Sequence, residues 1–369
     1  MRARFAIFIL IIQSILLGTH WFIYKTWISL RAVPDPPGIT PLQVVFGVLA
    51  FSFVAASLLA YRYRSRPVKL LYRAAAAWLG MVNFLFLAAC ASWVLVLAAS
   101  LAGLPLPRAR VVTLSYAVAM LASLYGMVNA RWLRVRRIQV KLPNLPESWR
   151  GRVAALASDL HLGHVNGIRF LRRIVARLTR LAPDVVFLTG DLYDGTKVDP
   201  AEVAAPLRNL CAPLGAFFVT GNHEEFRDPS GYLRAVHNYG VRVLNGEKVT
   251  VDGLQIIGVP YHETVDPQRF QAALERAAIE PGRASILLSH SPHALPEAER
   301  AGISMQLSGH THGGQFFPFT WFTRRIFRAY TYGLQRFRDM LVYTTTGAGT
   351  WGPPMRVGTS PEIVLIEFV

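Results

Sequence analysis

The chain has 369 residues, 52% of them hydrophobic and 17% charged, with a formal net charge of +17; it is long enough for two domains, and its charge invites a nucleic-acid reading. Two cysteines, Cys90 and Cys211, exclude a disulfide framework and fit a reducing compartment. The first 146 residues carry 16 Lys/Arg against one acid, Asp35, while the rest carries 23 against 21, so a nucleic-acid role for the basic balance is set aside.

Four apolar stretches come first, residues 5–24, 42–61, 74–102 and 111–130. Each reaches the about 20 residues a bilayer core requires, and the third has room to tilt. The first exceeds the about 7–15 apolar residues of a signal peptide and no small-x-small cleavage site follows, so it is expected to remain as an anchor. Gln13, His20 and Asn83 are isolated polar residues inside the spans, expected to pack between helices rather than to carry a substrate. Arg2 and Arg4 precede the first span; Arg62, Arg64, Arg66, Lys69 and Arg73 lie between the second and third; Arg131, Arg134, Arg136, Arg137 and Lys141 follow the fourth. The opposite loops hold only Lys25, Arg31, Arg108 and Arg110. Positive-inside bias therefore places both termini in the cytoplasm, on a multi-pass protein of the inner (cell) membrane, with its basic clusters against anionic headgroups. Pro143-Asn144-Leu145-Pro146 reads as a linker, which gives an anchor over 1–142 and a second domain over 147–369.

Past the linker, β-prone runs at 153–157, 185–189, 216–220, 254–259, 284–289 and 303–308 alternate with helical patterns. Over 168–181, Phe170, Leu171, Ile174, Val175 and Leu178 fall at helical spacing with arginines on the other faces, and Pro183 stops the pattern. Runs at 342–346 and 363–368 lack intervening helices and should be strands. Such alternation predicts a layered α/β fold. The strands deliver Asp159 and His161, then Asp191, then Asn222 and His223, then His290, and last His310 and His312, each just past an apolar run. Residues two apart on an extended segment share a side, so Asp159 with His161, and His310 with His312, are each expected to face one way. Asp191 has two oxygens able to bridge two ions, and the glycines around His310 and His312 let backbone pass close. Taken singly, Asp191 or Asn222 reads equally as a cap or turn residue and His290 as a satisfied buried group; the ordered set suggests one binuclear metal site. Carboxylate, amide and imidazole donors without thiolate suit Mn2+, Fe or Zn2+, with Mn2+ favoured. Residues 309–314 lack the Lys and Ser/Thr of a phosphate-binding P-loop. His20, His237, His262 and His293 are read as structural or surface groups.

Asp159-x-His161, Gly190-Asp191-x-x-Asp194, Gly221-Asn222-His223-Glu224, His290 and Gly309-His310-x-His312, in that order, resemble the calcineurin-like metallophosphoesterases. Residues 307–315, together with Gly349-Thr350-Trp351-Gly352-Pro353-Pro354 and Pro361-Glu362, resemble the family's bacterial membrane-attached branch. The four apolar stretches are expected to be transmembrane helices, and for the domain after them the resemblance implies a two-sheet β-sandwich flanked by helices. It implies one metal held by Asp159, His161, Asp191 and His312, a second held by Asp191, Asn222, His290 and His310, and His223 as the catalytic imidazole that contacts the phosphate without binding metal. Glu224 stands where many relatives carry Asp. Two ions about 3.5–4 Å apart clamp the attacking and leaving oxygens of an in-line displacement, so water rather than a side chain is the expected nucleophile. Asp194 and His164 are expected to support the ligands. The expected activity is hydrolysis of a phosphodiester or pyrophosphate bond in a lipid-linked substrate, with membrane lipids as partners and no nucleic acid. A phosphodiesterase for soluble nucleotides, and a transport or scaffold protein with an inactive domain, are the alternatives. Residues 316–328 mix aromatics with arginines as interfacial segments do and are expected to touch the membrane, a loop folded over the core being the other reading.

Overall fold

The computed structural model describes residues 2–34, 38–226 and 228–369, with side chains from residue 6 onward; Asp35 and the side chains of Arg2 and Arg4, which entered the charge count, lie outside the described residues. Four helices open the chain: α1 (Arg2–Leu30), α2 (Pro41–Arg62), α3 (Arg66–Leu101) and α4 (Arg108–Asn129). All four are long and apolar enough to cross a membrane. At about 1.5 Å per residue, the 36 residues of α3 run well past a bilayer core of about 30 Å, in line with the expected room to tilt. Thr40 and Gln43 close a capping box at the start of α2, where Pro41 occupies a first-turn position that needs no N–H partner. Small side chains at Ala50, Ala56 and Ala60 of α2 and at Ala75, Ala76 and Ala89 of α3 are buried and let backbones approach. The polar residues expected to pack do so: Gln13 Nε2 donates to Ala50 O at 3.1 Å, and His20 donates through Nδ1 to Leu16 O at 2.7 Å while accepting from Trp78 Nε1 at 2.9 Å.

The chain divides into two compact units, residues 1–128 with Gly352–Met355, and Asn129–Trp351 with Arg356–Val369. The second unit contains β1 (Arg134–Val140), β2 (Val153–Ala157), α5 (Ile168–Leu181), β3 (Val185–Thr189), α6 (Pro200–Ala204), β4 (Ala216–Val219), α7 (Asn222–Glu225), α8 (Ser230–Asn238) and β5 (Val241–Val243). It continues through β6 (Glu247–Val251), β7 (Leu254–Val259), α9 (Tyr261–Thr264), α10 (Pro267–Arg276), β8 (Ser285–Ser289), α11 (Leu295–Arg300), β9 (Met305–Ser308), α12 (Phe319–Phe327), β10 (Gly333–Phe337), β11 (Met340–Thr344) and β12 (Glu362–Phe368). Two six-stranded sheets result, ordered β1-β12-β2-β3-β4-β5 and β10-β11-β9-β8-β7-β6.

Period-2 alternation sorts the side chains of each strand between two cores. Leu156, Phe187, Phe217 and Val219 of the first sheet meet Ile256, Ile286, Leu288 and Leu307 of the second in a shared inner layer. The alternate residues Ala155, Val186, Leu188 and Phe218 pack outward against Leu171, Ile174 and Leu178 of α5, and Ile257, Val259, Leu287 and Val342 pack against Phe270 and Leu274 of α10. The expected two-sheet sandwich with flanking helices is therefore the architecture found.

One placement differs from the expected boundary. Arg134–Val140, assigned from its charge to the juxtamembrane end of the anchor, is a strand pairing parallel with Glu362–Phe368, so the sheet begins before residue 147. Three arginines in seven residues mask the strand signal, yet charge is what an exposed edge strand carries to avoid pairing with other chains. These arginines remain within about 15 residues of the last span, where positive-inside bias is counted.

Candidate metal centre

The parallel strands β2, β3 and β4 of one sheet, and β8 and β9 of the other, end on the same side of the sandwich. Their carboxyl ends carry Asp159, His161, Asp191, Asn222, His223, His290, His310 and His312, as sites in open α/β sheets do. His161 Nε2 lies 2.9 Å from His312 Nε2, His312 Nε2 lies 3.4 Å from Asp159 Oδ1, and His161 Nε2 lies 3.7 Å from Asp191 Oδ2. On the other flank His290 Nε2 is 3.2 Å from the same Asp191 Oδ2, and His310 Nδ1 is 3.3 Å from His290 Nε2 and 3.0 Å from Asn222 Oδ1. Asp159, His161 and His312 form one group and Asp191, His290 and His310 another, the donor atoms in each within 4.8 Å of one another. Asp191 also groups with His161 and His223, so its carboxylate stands between the two halves.

The convergence has a different cause from the one expected. β2 stops at Ala157 and β9 at Ser308, and Asp159, His161, Asp191, His310 and His312 have φ of 54°, 48°, 50°, 69° and 49°. They are left-handed residues of tight turns, not members of extended strands, and the shared side of each pair comes from two consecutive kinks rather than from pleat alternation. Backbone bonds hold the kinks: Asp159 N to Gly190 O at 3.1 Å and His161 N to Asp191 O at 3.0 Å. The glycines serve as anticipated. A Cβ at Gly309 would stand 2.2 Å from Asp159 Oδ2, and one at Gly190, itself at φ 87°, would stand 2.5 Å from His290 Nδ1.

Glu224 is buried and lies outside the donor groups. Its Oε2 accepts from Asp191 N at 3.0 Å and Gly221 N at 2.7 Å, and its Oε1 accepts from Tyr193 N at 2.9 Å, so one carboxylate ties the Asp191 turn to the Asn222 turn. Asp194 supports the centre through its backbone, its carbonyl accepting from His223 Nδ1 at 3.0 Å. That bond directs His223 Nε2 toward Asp191 Oδ2, 3.9 Å away. The Asp194 carboxylate bonds Thr196, and His164 Nδ1 lies 3.0 Å from Thr196 Oγ1, so both belong to the layer behind His223. His290 donates through Nδ1 to Thr189 O at 2.7 Å, which aims its other nitrogen at Asp191. His237 is exposed and His262 pairs with Glu225 at 3.2 Å, whereas His293, read as structural or surface, lies 6.5 Å from the His310 ring and so borders the centre.

Burial pushes Asp159 up to about 6. It acts the same way on Asp191, but His290 and the neighbouring imidazoles outweigh it and hold that carboxyl well below its usual range. Burial would depress His290, and Asp191 instead pulls it up to about 10. Burial, reinforced by neighbouring cationic groups, keeps His161 and His312 far below an ordinary imidazole and lowers His310 to about 3; burial also lowers His223. Three imidazoles are thus neutral, with ring nitrogens converging on two buried carboxylates. That donor set fits two divalent cations, with Asp191 common to both, and the absence of thiolate leaves Mn2+, Fe and Zn2+ all acceptable.

Two features escaped the sequence reading. Arg356 is wholly buried and donates to His312 O at 3.0 Å, Thr346 O at 2.7 Å and Gly349 O at 2.6 Å, with Nη2 3.2 Å from His312 Nδ1. Its only sequence signal is position, just past Pro353-Pro354-Met355. The second is an aromatic rim: Phe226 and Trp351 lie 4.5 and 5.6 Å from the His223 ring, Tyr261 lies 5.6 Å from His310, and Phe327 lies 6.0 Å from His310.

Comparison with known proteins agrees with this geometry. The calcineurin-like phosphoesterase profile matches residues 153–314. A Danio rerio transmembrane protein with metallophosphoesterase domain is 33% identical over 70% of this chain and 62% of its own length. A Campylobacter jejuni metallophosphoesterase is 28% identical over 69% of each chain, and one from Aquifex aeolicus is 31% identical over 68% of this chain and 97% of its own. This chain thus spans less than two thirds of the Danio rerio relative. With its ordered donor set and these relatives, the chain belongs to the calcineurin-like metallophosphoesterase family.

Proposed function

We propose that this membrane protein is a two-metal phosphohydrolase that faces the cytoplasm and cleaves a phosphodiester or pyrophosphate bond in a lipid-linked substrate. Asp159, His161, Asp191 and His312 would hold one ion, and Asp191, Asn222, His290 and His310 the other. When bound, such ions polarise the phosphoryl group and lower the pKa of water. The chain's own residues do the rest. Neutral His161, His310 and His312 present lone pairs, Glu224 fixes the turn carrying Asp191, and Asp194 O holds the Nδ1–H of His223 so that Nε2 is the nitrogen left to take up and give a proton. Burial lowers the pKa of that imidazole, so Nε2 first takes a proton, from the attacking water or from solvent, and the resulting imidazolium, a stronger acid than an ordinary one, gives it to the leaving oxygen. The observation that carries the reading is the placement of Asp191 Oδ2 within 3.7 Å of both His161 Nε2 and His290 Nε2.

A lipid-linked substrate is supported by α12, whose Trp321, Phe322 and Ile326 are 53%, 50% and 69% exposed on the element that brings Phe327 against His310. The exposed rings of Phe226 and Trp351 flanking His223 favour a second reading, stacking of the base of a soluble nucleotide. Cytoplasmic orientation rests on the distribution of Lys and Arg. The test is mass spectrometry of lipid extracts and of a soluble nucleotide diester incubated with purified protein and Mn2+, with wild type compared to Asp191→Asn and metal counted per chain. Two ions, lipid turnover and its near-abolition in the variant are expected. Full activity with one ion or none would defeat the proposal.

A further inference from the structure

We infer that a second, non-catalytic site for a phosphate group lies in the cavity beside α12. The cavity measures about 370 Å3 and is walled by Gly313, Arg324, Arg328, Tyr332, Thr346 and Thr359 among others, within the range of about 300–1,000 Å3 usual for small-ligand sites. No carboxylate lines it. Arg324, in the last turn of α12, and Arg328, just past its end, both line it, and a third guanidinium, Arg136, lies 5.6 Å over the ring of Tyr332. Among the described residues Arg324 and Arg328 have no ion-pair partner, whereas Arg276, Arg300 and Arg338 of the same unit pair with Glu263, Glu297 and Glu299 at 2.8, 2.8 and 2.9 Å.

The rest of the wall narrows the ligand chemistry. Tyr332 donates its hydroxyl to Glu362 at 3.0 Å, Thr346 donates to Ser360 O at 2.6 Å and Thr359 donates to Gln315 O at 2.8 Å. Those protons are turned into the fold, so a sugar or other neutral polyol finds few free donors, and a cation finds two like charges. What the wall offers is guanidinium N–H, in the forked geometry that suits phosphate oxygens. The second arginine is also aimed by a constrained backbone. Arg328 has φ 52°, uncommon for a residue with a side chain, and is held there by Thr331 Oγ1 donating to Arg328 O at 2.8 Å while Thr311 Oγ1 donates to Thr331 O at 2.8 Å. Thr311 precedes the metal-centre residue His312 and Gly313 follows it, so the cavity wall is the back of the metal-binding turn.

A phospholipid headgroup and free phosphate share this chemistry. The full chain would be studied in detergent with metals removed by chelation, so that the metal centre binds neither probe and success or failure is independent of hydrolysis. The probes are inorganic phosphate and monomeric dihexanoylphosphatidylglycerol, titrated by calorimetry. Saturable binding of at least one probe is expected, weakened about tenfold or more in Arg324→Gln/Arg328→Gln and unchanged in Arg325→Gln, whose guanidinium lies outside the cavity, over Trp321. Arg324→Gln alone, within the helix body, serves if the double variant fails to fold. Binding of the lipid but not of phosphate identifies a headgroup site, and binding of phosphate alone identifies a free anion site. Absence of binding by both probes, or equal affinity in the cavity variants and wild type, overturns the inference.

Discussion

Replacing Arg356 with methionine keeps an unbranched stem, shorter by the end of the guanidinium, and removes all five donors. Three carbonyls, on His312, Thr346 and Gly349, accept from this guanidinium at 3.0 Å or less, and a buried acceptor left unmade costs about 1–3 kcal/mol. Part of that loss is offset because a buried guanidinium is itself costly: burial draws its pKa down to about 10 against the upward pull of Asp159 and Glu362. A net cost of about 3–5 kcal/mol follows, as for other buried charges stripped from their partners. For a unit of this size each kcal/mol moves Tm by roughly 2–4 °C, so thermal unfolding of the purified chain in detergent should show Arg356→Met lower by about 6–20 °C. The same guanidinium holds the backbone of His312 through its carbonyl, and loss of such outer support typically weakens metal binding by about 10–100-fold. Arg356→Lys should recover little of either effect, since an ammonium cannot reach carbonyls so spread. A Tm within about 2 °C of wild type with unchanged metal affinity would refute the view that Arg356 braces the His312 turn.

His223→Ala should retain its metals and slow hydrolysis by about 10²–10⁴-fold, less for an aryl leaving group that needs no proton; loss of metal in this variant would make His223 a ligand. Metal loading at pH 7.5 should release about one proton per chain, because His290 is raised to about 10 by Asp191 in the metal-free protein and must be neutral to coordinate. Affinity should then fall as pH drops through the value of about 6 held by Asp159, and calorimetry in buffers of different ionisation enthalpy reads the proton count, a value of zero removing His290 from the ligand set. Replacing Trp321, Phe322 and Ile326 with serine should cut turnover of a vesicle-borne substrate and spare a small soluble diester, Phe327 being kept because it packs on His310; equal loss on both would make the segment part of the core. These changes touch different elements and can be combined.

What the sequence made legible divides along sheet position. The eight strands foreseen, β2, β3, β4, β7, β8, β9, β11 and β12, are the interior strands of the two sheets, and the four missed, β1, β5, β6 and β10, are the four edges. An interior strand of a parallel sheet is covered on both faces and reads as an apolar run such as Val-Val-Phe-Leu-Thr in β3, every residue of which is buried. An edge strand is half solvated, and Arg-Val-Arg-Arg-Ile-Gln-Val in β1 or Glu-Lys-Val-Thr-Val in β6 carries the charge that discourages pairing with other chains. The same rule explains why residues 134–140 do not read as a strand. They look like a basic flank of the membrane segment.

The site was legible for a different reason, and its geometry was not. Residue types and order were enough to gather Asp159, His161, Asp191, Asn222, His223, His290, His310 and His312, because donors delivered to the ends of adjacent parallel strands must converge. No alternation rule could yield their actual conformation, since five of these eight sit at positive φ. Asp and Asn tolerate that region better than most residues and His shares the tendency, so the donor types are also the types able to occupy the turns. Such conformations cost of order 1–3 kcal/mol each and persist only where the surroundings over-determine them. Here the surroundings are identifiable: Glu224 on the Asp191 turn, Arg356 on the His312 turn, and Gly190 and Gly309 where a Cβ would collide with His290 or Asp159. The candidate ligands are therefore positioned by backbone that the rest of the fold holds under strain, and the residues that hold it are ones a search for metal donors passes over.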